Sequence, residues 1–484
     1  MRDNSVIVMA IANVFCYHTV MAENVMDKIV ALCKRRGFIY PGSEIYGGLN
    51  GTWDLGPLGT LLANNIKNEW WRNIVLSRDD VVGLDSSILY HPKVWEASGH
   101  IASFTDPLKE CKVCHLRFRA DHAEAIDEYR RKSIPGVVTN ISFKKDSKGA
   151  LIESQHCEKA PDGKHKWTDV RPFNLMFKTF VGPIDNEENK TYLRPETAQG
   201  IFINFQNVIN STRVKIPFGI AQIGKGFRNE ITTGNFLFRV REFEMMELEY
   251  FVKPGSDKDW HEYWKKERHE WYLKLGIKKD NIKVVDLPKK ELAHYSKGTS
   301  EIWYKWPFMD FGELEGIANR GDYDLSQHGK YSGRDLSYID QDTKEKYVPY
   351  VIEPSVGVGR AMLAFLLDSY HVDDKRVVLK LHPKLAPIKV AIFPLLANKL
   401  PLVKMAKDTY HNLKTKIDGM VAFDDRGNIG KRYYSQDEIG TPFCVTVDFQ
   451  SLEDKRVTVR DRDTMKQERV KIEMLAEYFK DRFS

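Results

Sequence analysis

No stretch of this 484-residue sequence is apolar for long enough to cross a bilayer as a helix, and the nucleoside-phosphate signature GxxxxGK[ST] occurs nowhere in it. The six cysteines are too few for a secreted disulfide framework, so a reducing compartment, the cytoplasm, is expected, with no membrane partner. No charge sign dominates either: 73 Lys and Arg stand against 67 Asp and Glu, an excess that any solvated surface explains. What is present is an ordinary globular composition, 42% hydrophobic and 29% charged, enough for a large core divided among about two to four domains.

The leader, residues 1–25, carries a short, interrupted apolar run, "SVIVMAIANVFCYHTVMA", behind Arg2. It is read as a disordered tail, or as residues upstream of a true start near Met21 or Met26, in preference to a targeting signal. "NVMDKIVALCKRRGF" then repeats apolar residues at helical spacing up to Gly37. A glycine-rich passage leads into a second amphipathic helix, "TLLANNIKNEWWRNIV". From about 100 to 169 the chain turns charged and loses its periodicity, as an insertion would. "DWHEYWKKERHEWYLKLGI" predicts a helical insertion at about 252–300, its aromatics packing one side of a helix. Pro383 and Pro387 mark a linker, and 388–484 alternates helical pieces with strands such as "FCVTVDF" in a compact α/β domain. That domain holds 18 Lys and Arg against 15 Asp and Glu, half of the net positive charge in about a fifth of the length.

The informative residues lie in "GFRNEITTGNFLFRVREFEMMELEY" (226–250), which is expected to form two strands about a Gly/Asn turn. Period-2 alternation groups Arg228 with Glu230, and Arg239, Arg241, Phe243, Met245, Glu247 and Glu249 on the return strand, opposite Phe238, Val240 and Met246. Arginines with an aromatic among them suit a nucleotide, because guanidinium forks bind phosphate in two places and a ring stacks on a base. Ser355, Gly357 and Gly359 alternate ahead of Arg360, where the backbone approaches a ligand closely. The last glycine of GxGxxG is missing there, so no dinucleotide fingerprint is present.

"GFRNE" followed by "FRVREF" resembles motif 2 of the class II aminoacyl-tRNA synthetases, and "GVGR" resembles their motif 3. Together with "YLRPETAQGIFINF", "GELEGIANRGDYDLSQH" and "EPSVGVGR", the ordered set resembles the homodimeric, single-chain glycyl-tRNA synthetases from roughly Met26 to the C-terminus. The resemblance implies an α+β catalytic domain over 26–384, a six-stranded antiparallel sheet flanked by helices, and an anticodon-binding domain over 388–484. It implies glycine, ATP with Mg2+, and glycine tRNA as substrates. The region "TLLANNIKNEWWRNIV" with "DVVGLDSSILYHPKVW" resembles motif 1, which builds a homodimer.

Residue by residue, the resemblance puts ATP against Arg228, Asn229, Glu230, Phe238, Arg239, Val240, Arg241, Glu242, Phe243, Glu313, Leu314, Gly357, Val358, Gly359 and Arg360. Arg228 would meet the α-phosphate, Arg239 the γ-phosphate, Phe243 and Arg360 would sandwich the adenine, Glu230 would hold its amino group, and Glu313 would help hold magnesium. Glycine would lie near Arg119, Glu196, Phe243, Glu244, Met245, Met246, Glu247, Glu353, Pro354, Ser355, Val356 and Gly357. A non-catalytic relative would be expected to lose one of these arginines or the adenine platform, and an ATP-using enzyme that needs no tRNA should lack the C-terminal domain. Both features are present.

Cys111-x2-Cys114 is half of a zinc spacing. Related enzymes can carry a second cysteine pair before "RPFNLMF", whereas this chain offers only Cys157, with His115, His156 and His165 as substitutes. Reduced, unliganded cysteines are therefore expected in preference to structural zinc.

Overall fold

The computed structural model describes residues 25–120, 144–145, 151–152, 157, 159–293, 295–373 and 376–483. Residues 1–24 of the leader and His156 lie outside them.

Seven strands form the central sheet, in the order Ile282–Asp286, Gly298–Tyr304, Gly312–Gly321, Tyr350–Gly357, Glu242–Val252, Phe218–Phe227 and Val81–Gly83. The first six run antiparallel, as expected. The seventh, Val81–Gly83, is a short parallel edge that follows the helix Pro57–Trp71 back to the sheet.

Alternation along each strand sends one set of side chains into the core and the other toward a cleft. In Glu242–Val252, Met246, Leu248, Tyr250 and Val252 join the main core, while Phe243, Met245 and Glu247 face the cleft. The same split separates Ser300, Ile302 and Tyr304, all buried, from Thr299 and Glu301 at the cleft. The helices Val25–Arg36, Pro57–Trp71, Asp257–Lys274 and Val358–Ser369 cover the core face with Leu32, Ile66, Trp264 and Met362. On the opposite side, Ala198–Thr212 packs Phe202 and Phe205 against Phe218 and Phe251.

In the stretch 252–300, Trp264, Trp271 and Tyr272 of the helix Asp257–Lys274 belong to the main core, as expected of its aromatic side, and Ile282–Asp286 is an edge strand of the central sheet. Two expectations need correction. The hairpin arms are shorter than alternation predicts. Pairing stops at Phe227↔Glu242, so Arg228, Glu230, Phe238, Arg239 and Arg241 belong to a loop. In that loop Asn235 and Phe236 take left-handed backbone conformations and a lone bridge joins Gly234 to Arg239. The Pro-marked segment is a packed connection: Leu385 and Ala386 are fully buried, and the Asn65 side-chain amide donates to both of their carbonyls, at 3.1 and 2.9 Å.

The charged insertion builds a small three-stranded sheet of Arg117–Arg119, Thr105–Glu110 and Arg171–Asn174. The C-terminal unit has its own core beneath a five-stranded sheet. Its strands Met420–Phe423, Ile388–Pro394 and Phe443–Val447 are parallel, and Arg456–Asp461 and Gln467–Lys471 are antiparallel. Ile388–Pro394 is buried along its whole length, Lys389 included, which explains the apolar run from Val390. Arg35 and Arg36 of the first helix reach Glu438 of this unit. Among the described residues no helix is long and apolar enough to cross a membrane.

Candidate active site

A cavity of about 470 Å3 opens over the cleft face of the central sheet. Its two ends differ in charge. At one end stand Arg228, Arg239 and Arg360. The Arg228 guanidinium lies 5.4 Å from the ring centres of both Phe104 and Phe243, and its Nε donates to the Pro195 carbonyl at 3.2 Å. Arg360 opens the helix Val358–Ser369, stacks 4.5 Å over Phe238 and pairs with Glu313 at 2.9 Å. Arg239 stands 3.9 Å from Glu230, whose buried Oε2 has no hydrogen-bond partner among the described residues. Two carboxylates complete this end. Burial and the neighbouring Glu313 push Glu301 up to about 7, whereas Arg360, ahead of Arg228 and Arg239, holds Glu313 below the usual carboxylate range against the opposing effect of burial. Phe243 can lie across the facing strand because Gly226 has no side chain: a Cβ there would come within 2.8 Å of the ring.

The other end is acidic and dry. Glu196 precedes the helix Ala198–Thr212 and sits 3.3 Å from His100. Burial would raise its pKa, but the His100 charge and hydrogen bond hold it below the normal range. Glu247 accepts from the amide and hydroxyl of Thr197 through one oxygen and from the Ser355 hydroxyl, at 2.9 Å, through the other. Burial, then the neighbouring Glu196, raises its pKa. Both oxygens of Glu353 accept from Arg320 at 2.9 Å, and the rest of that buried guanidinium is tied to Asp324 at 2.7 and 2.9 Å. Burial pushes Glu353 up to about 8, with Glu247 and Glu196 adding to the rise against Arg320. Arg119 closes this end from the small sheet, paired with Asp106 at 2.9 Å.

The cleft thus gathers Arg119, Glu196, Arg228, Glu230, Phe238, Arg239, Val240, Phe243, Met245, Glu247, Glu313, Leu314, Glu353, Ser355, Gly357, Gly359 and Arg360. Eight expected residues do not line it. Met246, Val356 and Val358 point into the core, Pro354 sits beside them on the wrong parity, and Asn229 donates its amide to the Leu175 carbonyl. Glu242 and Glu244 are engaged by Lys225 and Lys67, at 3.0 and 3.1 Å. Arg241 ties the loop to the Asn50 carbonyl and, at 3.0 Å, to that of Glu230. Sequence reasoning missed Phe104, Asp106, Tyr295, Glu301 and Arg320. Alternation in "TSEIWY" could have found Glu301. No local signal marks the others, which arrive through tertiary packing.

Residues 177–370 match the model of the tRNA synthetase class II core domain (G, H, P, S and T), and residues 389–482 match the anticodon binding domain. A glycine–tRNA ligase of Thermobifida fusca is 52% identical over 470 residues, which covers 95% of this chain and 98% of the relative. The chain belongs to the glycine–tRNA ligase family. A second member, from Streptomyces coelicolor, is 52% identical over 473 residues, 96% of this chain and 99% of its own length. Among solved structures, a prolyl-tRNA synthetase of Cryptosporidium parvum superposes with a TM-score of 0.61 at 16% identity, over 94% of this chain and 76% of that one, a likeness of fold.

Proposed function

We propose that the chain activates glycine with ATP and transfers it to the 3′ end of glycine tRNA. The observation that carries this reading is one cleft, in a member of this ligase family, with three arginines and an aromatic platform at one end and a cage of buried carboxylates at the other. The cationic end takes ATP. Arg228 faces the α-phosphate, Arg239 the γ-phosphate, Phe243 and Arg360 hold the adenine, and the unsatisfied oxygen of Glu230 accepts from its amino group. Glu313, with Glu301 beside it in the cleft, supplies the hard oxygen donors that suit Mg2+. When bound, that ion neutralises charge on the phosphoryl oxygens.

Glycine lies at the acidic end. Its ammonium meets Glu196, Glu247 and Glu353 in a water-poor environment where attraction is strong, and Arg119 balances its carboxylate. A glycine carboxylate oxygen attacks the α-phosphorus and pyrophosphate leaves. A ribose hydroxyl of the tRNA terminus then attacks the glycyl carbonyl carbon and AMP leaves. Neither step needs a protein nucleophile, so positioning and neutralisation of charge supply the catalysis. The catalytic domain spans 26–384, and 388–484 binds the anticodon end of the tRNA. Two copies pair through the motif 1 region, where Leu76 and Leu89 are 67% and 49% exposed. The reaction belongs in the cytoplasm, where its tRNA substrate is made.

Glycine-dependent exchange of labelled pyrophosphate into ATP, followed by charging of glycine tRNA, tests the reading. Exchange with glycine and not with alanine or serine is expected. Charging without any amino-acid-dependent exchange would overturn the two-step order.

A further inference from the structure

Outside the cleft, the small sheet gathers a group of side chains that the proposed reaction does not use. Cys111 follows the strand Thr105–Glu110, Cys114 lies in the turn to Arg117–Arg119, and Cys157 and His165 come from a loop beyond. Their ligand atoms all lie within 4.8 Å of one another. The Cys111 and Cys157 sulfurs are 4.0 Å apart, and Cys114 Sγ is 3.5 Å from His165 Nδ1. Tetrahedral zinc, with bonds of about 2.3 Å to sulfur and about 2.0 Å to nitrogen, needs about 3.8 Å between sulfurs and about 3.5 Å from sulfur to nitrogen.

We propose that Cys111, Cys114, Cys157 and His165 form a structural zinc site, a Cys3His set in which side chains fill all four positions and none is left for substrate. The backbone is already shaped for it. Cys111 donates its amide to the Leu116 carbonyl at 2.8 Å, His115 returns its amide to the Cys111 carbonyl at 2.9 Å, and His115 takes a left-handed conformation that turns the chain between the strands. The second loop closes through Cys157 to the Gly163 carbonyl, and the His165 ring is stacked on Trp167 at 4.6 Å. Cys111 and Cys157 are buried with Leu116 and Ala160 in a core too small to hold the hairpin alone. Binding deprotonates three thiols, whose protons pass to solvent, and uses His165 as neutral imidazole, leaving one net negative charge among Lys112, Lys164 and Lys166.

The site also has a use. The same hairpin pairs Leu108 with Arg119 and holds Arg119 against Asp106 at the glycine end of the cleft. The zinc is therefore the fixed end of an arm that positions Arg119. This second step rests on the function proposed above, whereas the metal site does not.

Untagged full-length protein, purified under reducing conditions without chelator, is expected to hold one zinc per chain. Its cobalt-substituted form is expected to show thiolate charge-transfer bands with tetrahedral d–d absorption. Cys157→Ser and His165→Ala should each weaken zinc retention about tenfold or more, whereas His115→Ala, which alters an exposed ring 3.3 Å from Glu110, should retain it. Less than about one tenth of a zinc per chain after zinc loading overturns the site, and needs no variant to fold. Equal loss from His115→Ala and His165→Ala overturns the ligand set. With the metal confirmed, the zinc-weakened His165→Ala enzyme should raise the glycine KM about tenfold and leave the ATP KM within about twofold. An unchanged glycine KM in that metal-poor enzyme overturns the link to Arg119 while leaving the site standing.

Discussion

The two ends of the cleft spend their charges differently. At the arginine end Arg360 is paired with Glu313, but the other charged groups are loosely held: Arg228 makes one backbone hydrogen bond at 3.2 Å, Arg239 stands 3.9 Å from Glu230, and Glu230 leaves an oxygen unused among the described residues. At the carboxylate end nearly every group is committed, Glu353 to Arg320, Glu247 to Thr197 and Ser355, and Glu196 to His100 and Gln199. A polyphosphate brings several charges of its own and needs arginines with free donor forks. A ligand as small as glycine brings one ammonium and one carboxylate, and a rigid prearranged cage selects it better than a flexible one. Substitutions at the first end should therefore change rate with little effect on folding, and those at the second should change folding together with binding.

Arg228→Ala is the sharpest way to break this contrast. It removes an oriented positive charge from the reacting phosphate, a loss of about 3 kcal/mol or more, or about a hundredfold in pyrophosphate exchange. Thermal unfolding should stay close to that of the unaltered chain, because only one long backbone hydrogen bond and two ring contacts at 5.4 Å disappear. Exchange within about threefold of the parent, in folded protein, would remove Arg228 from the chemistry.

Glu353→Gln should act more mildly on rate and more strongly on structure. The glycine KM is expected to rise about tenfold with the ATP KM within about twofold, because Glu353, pushed up to about 8 in the empty cleft, can release its proton to face the ammonium and Gln cannot. Unfolding free energy should fall by about 2 kcal/mol, since Arg320 loses a charge-assisted pair while keeping Asp324. Separate titrations of glycine and ATP check this. Equal weakening of both substrates would make Glu353 a support of the whole cleft.

How much of this was legible in the sequence follows the same division. Period-2 alternation correctly brings Phe243, Met245 and Glu247 to one face because those residues sit in a regular strand. It misplaces Arg228 and Arg239 because the ladder ends at Phe227 and Glu242, and a loop with two left-handed residues carries them instead. The motifs that surround Glu353 were recognisable. Its partner Arg320 was not, since a pair joined across two strands 33 positions apart leaves no local pattern. The edge strand Ile282–Asp286 was missed for a related reason: it alternates too weakly for its place in the sheet to be seen before the sheet is assembled. His165 was one of three equivalent candidates in the sequence, and only the fold of the loop singles it out.

Glu249 offers the finest test of how the acidic end is balanced. It is fully buried on the strand that carries Glu247, and neither of its oxygens has a hydrogen-bond partner among the described residues. The register that joins Glu247 to Ser355 and Tyr250 to Ile352 sets it opposite Glu353. Burial first, and then the Glu353 charge, raise its pKa well above the usual carboxylate range, so the folded chain holds a proton there that the unfolded chain releases above about 4.3. Its favourable contribution is complete below that value and is lost as pH rises toward the folded pKa, at about 1.4 kcal/mol per pH unit for one proton. Glu249→Met keeps the volume and removes the titration. Its unfolding free energy relative to the parent should therefore improve as pH rises from about 4.3 toward the folded pKa, by up to about 1.4 kcal/mol per pH unit, with pyrophosphate exchange within about threefold throughout. Chemical unfolding of both proteins across that range measures the slope. A difference independent of pH would mean that Glu249 keeps the same proton count folded and unfolded, and that the charge of the acidic end is balanced by Arg320 and His100 without a buried proton.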